Sequence, residues 1–121
     1  MNKYTREELE EVLREVSSSI SNCEKIQPKF AEGTSQHSLL KNRLKALYIS
    51  QSLITGENIM HKYTKEELTK ALPPVSSIIS KCEKGQQKFE KGTRHHTRFK
   101  NIINAMYISK SLITDEISER D

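Results

Sequence analysis

The sequence predicts an all-α protein in which two tandem helical hairpins pack as a four-helix bundle with pseudo-twofold symmetry. Three observations predict it. The first is composition: of 121 residues, 30% are charged and 34% hydrophobic, with no Trp, four Gly and three Pro. Strong helix formers are common, and apolar residues this sparse suffice when they lie in stripes along helices. The second is a repeat. Shifted by about 59 positions the chain overlays itself without a gap, Lys3–Ile59 on Lys62–Ser118, with roughly 32 of 57 positions identical. "KYTREELEEVL" returns as "KYTKEELTKAL", and "HSLLKNRLKALYISQSLIT" returns as "HTRFKNIINAMYISKSLIT". The third is periodicity. Each copy holds two stretches with apolar residues at helical spacing, separated by a Gly-Thr turn. One hairpin cannot bury such faces, but residues 1–59 and 60–121 can do so together as one compact domain.

The elements follow in order. Thr5 is a good N-cap for the first helix and Glu8 completes a capping box, with Tyr4 and Leu9 as a hydrophobic staple. Leu9, Leu13, Val16, Ile20, Cys23 and Phe30 form a heptad-like seam, with Gln27 in the missing slot. Pro28 is expected to bend the helix near its tip, Gly33 to end it in the left-handed conformation, and Thr34 to cap the second helix. That helix carries Leu40, Leu44, Leu47, Leu53 and Ile54 on a broad face, with Ala46 and Ile49 beside it. A short linker, Gly56–His61, leads to the second copy. There Thr64, Glu67, Tyr63 and Leu68 repeat the cap and staple, and Leu68, Leu72, Val75, Ile79, Cys82, Gln86 and Phe89 repeat the seam. Pro73 and Pro74 interrupt it; each removes a backbone donor, so a kink or break is predicted near Leu72, with Pro74 starting a new segment. Gly92 and Thr93 mark the second tip, and Phe99, Ile103, Met106, Leu112 and Ile113 line the fourth helix.

Several function classes are disfavoured. No apolar run approaches the roughly 18 residues that span a bilayer, and "MNKYTREELEEV" lacks the apolar core of a signal peptide, so no membrane partner and a cytosolic, soluble protein are expected. Cys23 and Cys82 are too few for a disulfide framework and too far apart for a structural zinc site; buried reduced thiols are expected. There is no Gly-rich phosphate loop after a strand, no H-E-x-x-H and no G-x-S-x-G. The acidic clusters "REELEE" and "KEEL" suit helix N-termini rather than catalysis. A non-enzyme with no cofactor and no metal is expected. Residues 1–61 carry 8 basic and 8 acidic side chains, whereas residues 62–121 carry 12 and 8, which is the whole net charge of +4. That excess is modest, and interleaved acids repel phosphate, so nucleic acid is disfavoured as a partner.

The hairpin tips hold the candidate site. His37 stands at the third position of the second helix and Lys41 one turn on, and His96 and Lys100 repeat this. Lys25 and Lys84, with Lys29 and Lys88, lie near the ends of the preceding helices, and the second tip adds Lys91, Arg94, His95 and Arg98. Cations beside a capped helix N-terminus suit an anion; a solvated charged surface is the competing reading. Tyr48 and Tyr107 read as core aromatics with a bonded hydroxyl, or else line a cleft between the hairpins with Gln27 and Gln86 as polar handles.

The phrases "YTREEL", "ISNCEK" and "EGTSQHSLLKNRLKALYIS" resemble short helical reading frames of Gram-positive bacteria, their phages and mobile elements. The second copy departs from the phrase as "KGTRHHTRFKNIINAMYIS". The likeness covers each repeat almost fully and brings no catalytic residues with it. It implies a bacterial host cytoplasm and, by analogy with small phage proteins, a role against host defence. Two forms of that role are expected. One is a non-enzymatic protein that sequesters an anionic, nucleotide-like ligand such as a cyclic nucleotide. The other is an interaction module that binds and inhibits a host defence protein. Either suits a monomer or a homodimer, because equivalent faces of the two copies are interchangeable.

Overall fold

The computed structural model describes residues 3–120, which form a four-helix bundle. Residues 1, 2 and 121, at the outer ends of the two repeat segments, lie outside the described residues. Helix α1 (Arg6–Ile26) is followed by a 3₁₀ turn at Gln27–Lys29, α2 (Ser35–Ile54), α3 (Lys65–Gln86) and α4 (Arg94–Glu119). Within each copy the two helices pair, and across copies α2 packs on α3, α1 on α4, and α2 on α4. Both tips lie at one end. Lys3, near the start of α1, bonds Ser111 at 2.9 Å and pairs with Asp115 at 3.1 Å, which places the linker and the helix ends at the other.

The predicted caps form. Thr5 Oγ1 accepts from the Glu8 amide at 3.1 Å while Glu8 accepts from the Thr5 amide at 2.9 Å, and Thr64 and Glu67 do the same at 3.0 and 2.9 Å. Each box satisfies amides that a helix start leaves unpaired. At the tips, Thr34 and Thr93 cap α2 and α4 through the His37 and His96 amides, both at 3.2 Å. Each hydroxyl also donates back to a tip carbonyl, Ala31 at 2.7 Å or Glu90 at 2.8 Å, which pins the turn. Gly33 and Gly92 adopt φ of 88°, as expected of the left-handed region, but they precede the caps of α2 and α4 and do not terminate α1 and α3. Those helices stop earlier, at Ile26 and Gln86. Pro28 sits in the 3₁₀ turn just past α1, where it has no amide to continue the helix.

The core is wider than a heptad seam. In α1 the buried side chains are Val12, Val16, Ile20 and Cys23, while Leu9 and Leu13 are half-buried and Phe30 is exposed. Cys82 is half-buried, unlike its counterpart Cys23. Helix α2 touches all three other helices and buries Ala46, Leu47, Ile49 and Ser50 on nearly every side. The hydroxyls of Ser50 and Ser109 are satisfied by the carbonyls one turn back, Ala46 and Ala105, both at 2.9 Å. The predicted break in α3 does not occur. It is one helix from Lys65 to Gln86 with Pro73 and Pro74 inside it. Pro73 faces solvent, while Leu68, Ala71, Val75, Ile78 and Ile79 are buried along the same helix, so packing on both sides of the proline step holds it together.

Candidate functional site

The first tip forms a groove of about 890 Å³ along α2. His37, Lys41, Gln27 and Tyr48 all line it, joined by Asn42 and Lys45. Their grouping follows from helical spacing. His37, Lys41, Lys45 and Tyr48 recur at three or four residues along one face of α2, and the 3₁₀ turn brings Gln27 back over that face. His37 is half-buried and Lys41 is exposed. Among the described residues Lys41 has no ion-pair partner, so its ammonium is available to a ligand. Lys45 reaches across to α3 and pairs with Glu67 at 2.6 Å. That ammonium, with the Thr64 amide of the capping box, pulls the Glu67 carboxyl down to about 2. Glu32 at the rim is the acidic member of the groove.

The second tip arranges the same residue types differently. His96 is half-buried, and Lys84, Arg94, Arg98 and Lys100 are exposed. None of them lines the grooves described on this chain. Here Phe89 stacks on His95 at 4.7 Å and packs beside Phe99 at 6.0 Å. Gln86 donates to the His96 carbonyl at 3.4 Å, whereas Gln27 lines the open groove of the first copy. The structure therefore joins His37, Lys41, Gln27 and Tyr48, and no described groove brings them together with the second set. Lys25 lies exposed on the last turn of α1 and does not line the groove.

The tyrosines are not core residues, and they do not share a cleft between the hairpins. Tyr48 and Tyr107 are exposed, and each hydroxyl donates within its own hairpin, Tyr48 to Glu24 and Tyr107 to Glu83 at 3.3 Å. The bond to Glu24 holds the Tyr48 hydroxyl above its usual range, and the negative charge of Glu83 does the same for Tyr107. Sequence reasoning missed Lys45 and Asn42 as members of the site, and Glu24 as the partner that holds Tyr48. The repeat carried a signal for one of them, because Glu24 and Tyr48 return together as Glu83 and Tyr107.

A second groove, of about 780 Å³, lies between α2 and α3 and shares Asn42 and Lys45 with the first. Its apolar lining is Leu39, Ala46, Ala71, Pro73 and Pro74. No group of three or more metal-ligating side chains is found among the described residues. No helix among them is long and apolar enough to cross a membrane. No family model, curated protein or solved structure matches the chain.

Proposed function

We propose that this chain is a non-enzymatic binding protein that holds an anionic, nucleotide-like ligand in the groove over His37 and Lys41, and that it acts as a phage-type anti-defence protein by sequestering that ligand. The observation that supports the reading is the meeting of His37, Lys41, Gln27 and Tyr48 in one groove whose volume is in the range of small-molecule sites. The groove offers an unpaired ammonium, an imidazole, amide groups and a phenol, which suits charge recognition and hydrogen bonding. In this reading the ligand is kept rather than converted. The anti-defence role rests on analogy with small phage proteins of this size and helicity. Protein purified natively from bacterial cells, then denatured, is expected to release a nucleotide detectable by mass spectrometry. Lys41→Glu should lower the amount retained at least about tenfold, by reversing a charge that touches the anion. Retention unaffected by Lys41→Glu would overturn the reading.

A second reading, inhibition of a host protein, draws on another observation. Ile26, Phe30 and Phe89 are exposed near the tip end, at 41%, 36% and 37% of their full surface. Exposed apolar side chains of this kind suit a protein partner. An empty protein that copurifies with one host polypeptide, and loses it in Phe30→Asp, would move the conclusion there.

A further inference from the structure

We infer that the second tip binds single-stranded nucleic acid, with its cations on the phosphates and its exposed rings against the bases. The inference goes beyond the groove over His37 and Lys41 and does not depend on it.

The charge balance that disfavours nucleic acid for the whole chain does not hold locally. Residues 81–100 carry seven basic and two acidic side chains, whereas the rest of the chain carries thirteen and fourteen. This one segment therefore holds net +5 against −1 elsewhere. It folds into the end of α3, the turn that follows and the start of α4, so the charges gather at one tip. All seven, among them Lys88, Lys91, Arg94 and Arg98, are exposed. Among the described residues none of the seven pairs with a carboxylate. Clustered cations that no carboxylate neutralises attract a polyanion.

Rings stand among these cations. Phe89 stacks on His95 at 4.7 Å and lies beside Phe99 at 6.0 Å, with interplanar angles of 29° and 25°. Phe99 is half-buried over Gly85, whereas Phe89 is 37% exposed and His95 is exposed. The cluster is thus anchored in the bundle and leaves ring surface open to solvent. The first copy shows that the fold does not require it. Asn22, Glu32, Ser35, Gln36, Leu39 and Leu40 stand there in place of Lys81, Lys91, Arg94, His95, Arg98 and Phe99. Each of these six differences adds a cation or a ring to the second tip; Glu90 in place of Ala31 runs the other way.

A single strand repeats one charge and one flat ring per nucleotide, the two kinds of group that this tip receives. A duplex hides the faces of its bases and would leave the rings unused. An acidic peptide brings the charge without a ring at each step.

The test is fluorescence anisotropy of the full chain with a twelve-nucleotide oligothymidylate, the matching oligouridylate, an abasic strand of the same length, a duplex and polyglutamate. At least one of the two base-bearing strands is expected to bind about 5-fold or more tighter than the abasic strand, the low end for one base stacked on an aromatic ring. Its affinity should fall as salt rises. The variants use residues that the first copy holds at the equivalent positions, so they should fold. His95→Gln is expected to cut the preference for bases to under about 2-fold, with the salt dependence unchanged. Lys91→Glu with Arg94→Ser is expected to weaken base-bearing and abasic strands alike, by about tenfold or more, and to flatten the salt dependence. The inference is overturned if neither base-bearing strand binds, if the abasic strand or the duplex binds as tightly, or if His95→Gln leaves the preference unchanged. Polyglutamate binding as tightly as the base-bearing strands also overturns it, in favour of an acidic protein partner.

Discussion

At the scale of single residues, Arg43 is the outlier of the bundle interior. It lies on the stripe of α2 that also carries Leu40, Leu47 and Ser50, all buried, and it is itself half-buried. Its Nε and Nη2 are buried without a protein hydrogen-bond partner among the described residues. Its charge acts on both Cys23 and Cys82, but burial outweighs it and holds both thiols above their usual range. The thiols are not poised to join, because no described part of α1 comes within 8 Å of α3 from Cα to Cα, beyond the reach of a disulfide. The other copy has Ile102 at the position of Arg43. Replacing a poorly partnered interior charge by a hydrophobe of the right shape removes a desolvation cost. Arg43→Ile is therefore expected to raise the unfolding free energy by about 1–3 kcal/mol, read as a higher midpoint in urea. A lower midpoint would show that the guanidinium is held by interactions stronger than its burial cost.

At the scale of elements, the two hairpins show how one sequence plan was packed twice. In the second, Gly85 lies against Phe99, and a Cβ built on Gly85 would stand 2.8 Å from the end of its ring. The first hairpin has Ile26 and Leu40 at these positions, so volume has moved from one helix to the other. Phe99, over Gly85, packs beside Phe89, which stacks on His95, so the second tip is aromatic where the first is an open polar groove. Gly85→Ile alone is expected to expel the Phe99 ring and to cost about 1–3 kcal/mol by overpacking. Phe99→Leu alone should leave a gap. The double variant, which restores the pairing of the first copy, is expected to be more stable than the sum of the two changes by at least about 0.5 kcal/mol in a double-mutant cycle. Strict additivity would show that the two positions do not share one packing space.

At the scale of the whole molecule, the end opposite the tips closes the bundle through a contact the repeat does not contain. Helix α2 is followed by Gly56 at φ 77°, whereas Asp115 follows the equivalent point and α4 runs on to Glu119. The extension carries Arg120, which donates to the Tyr63 carbonyl and, at 2.9 Å, to the Ile59 carbonyl, while Glu116 accepts from it at 3.1 Å. Ile59 is 2% exposed, so the linker is anchored by an apolar plug and a guanidinium clamp together. Arg120→Ala is expected to destabilise the chain by about 2 kcal/mol, as expected for charge-assisted bonds lost from a buried site. Chain exchange between copies should rise with it, read as a dimer fraction by light scattering. Unchanged stability and mass would show that Ile59 alone holds the linker.

The sequence by itself determined the four helices, their capping boxes, the two Thr-capped tips and the duplication, because these depend on local spacing and on backbone donors that neighbours satisfy. It also placed His37, Lys41, Gln27 and Tyr48 close enough along the chain for one helical face and one turn to join them. Only the tertiary structure decided that the second tip is aromatic where the first opens as a polar groove, since it shows the Phe99 ring packed over Gly85, where a Cβ would meet it. It decided too that Pro73 and Pro74 stay within α3, because burial on both sides of the step outweighs a local cost that sequence reasoning counts alone. The groove they line depends on α2 lying against α3, a contact between copies that no periodicity within either one encodes.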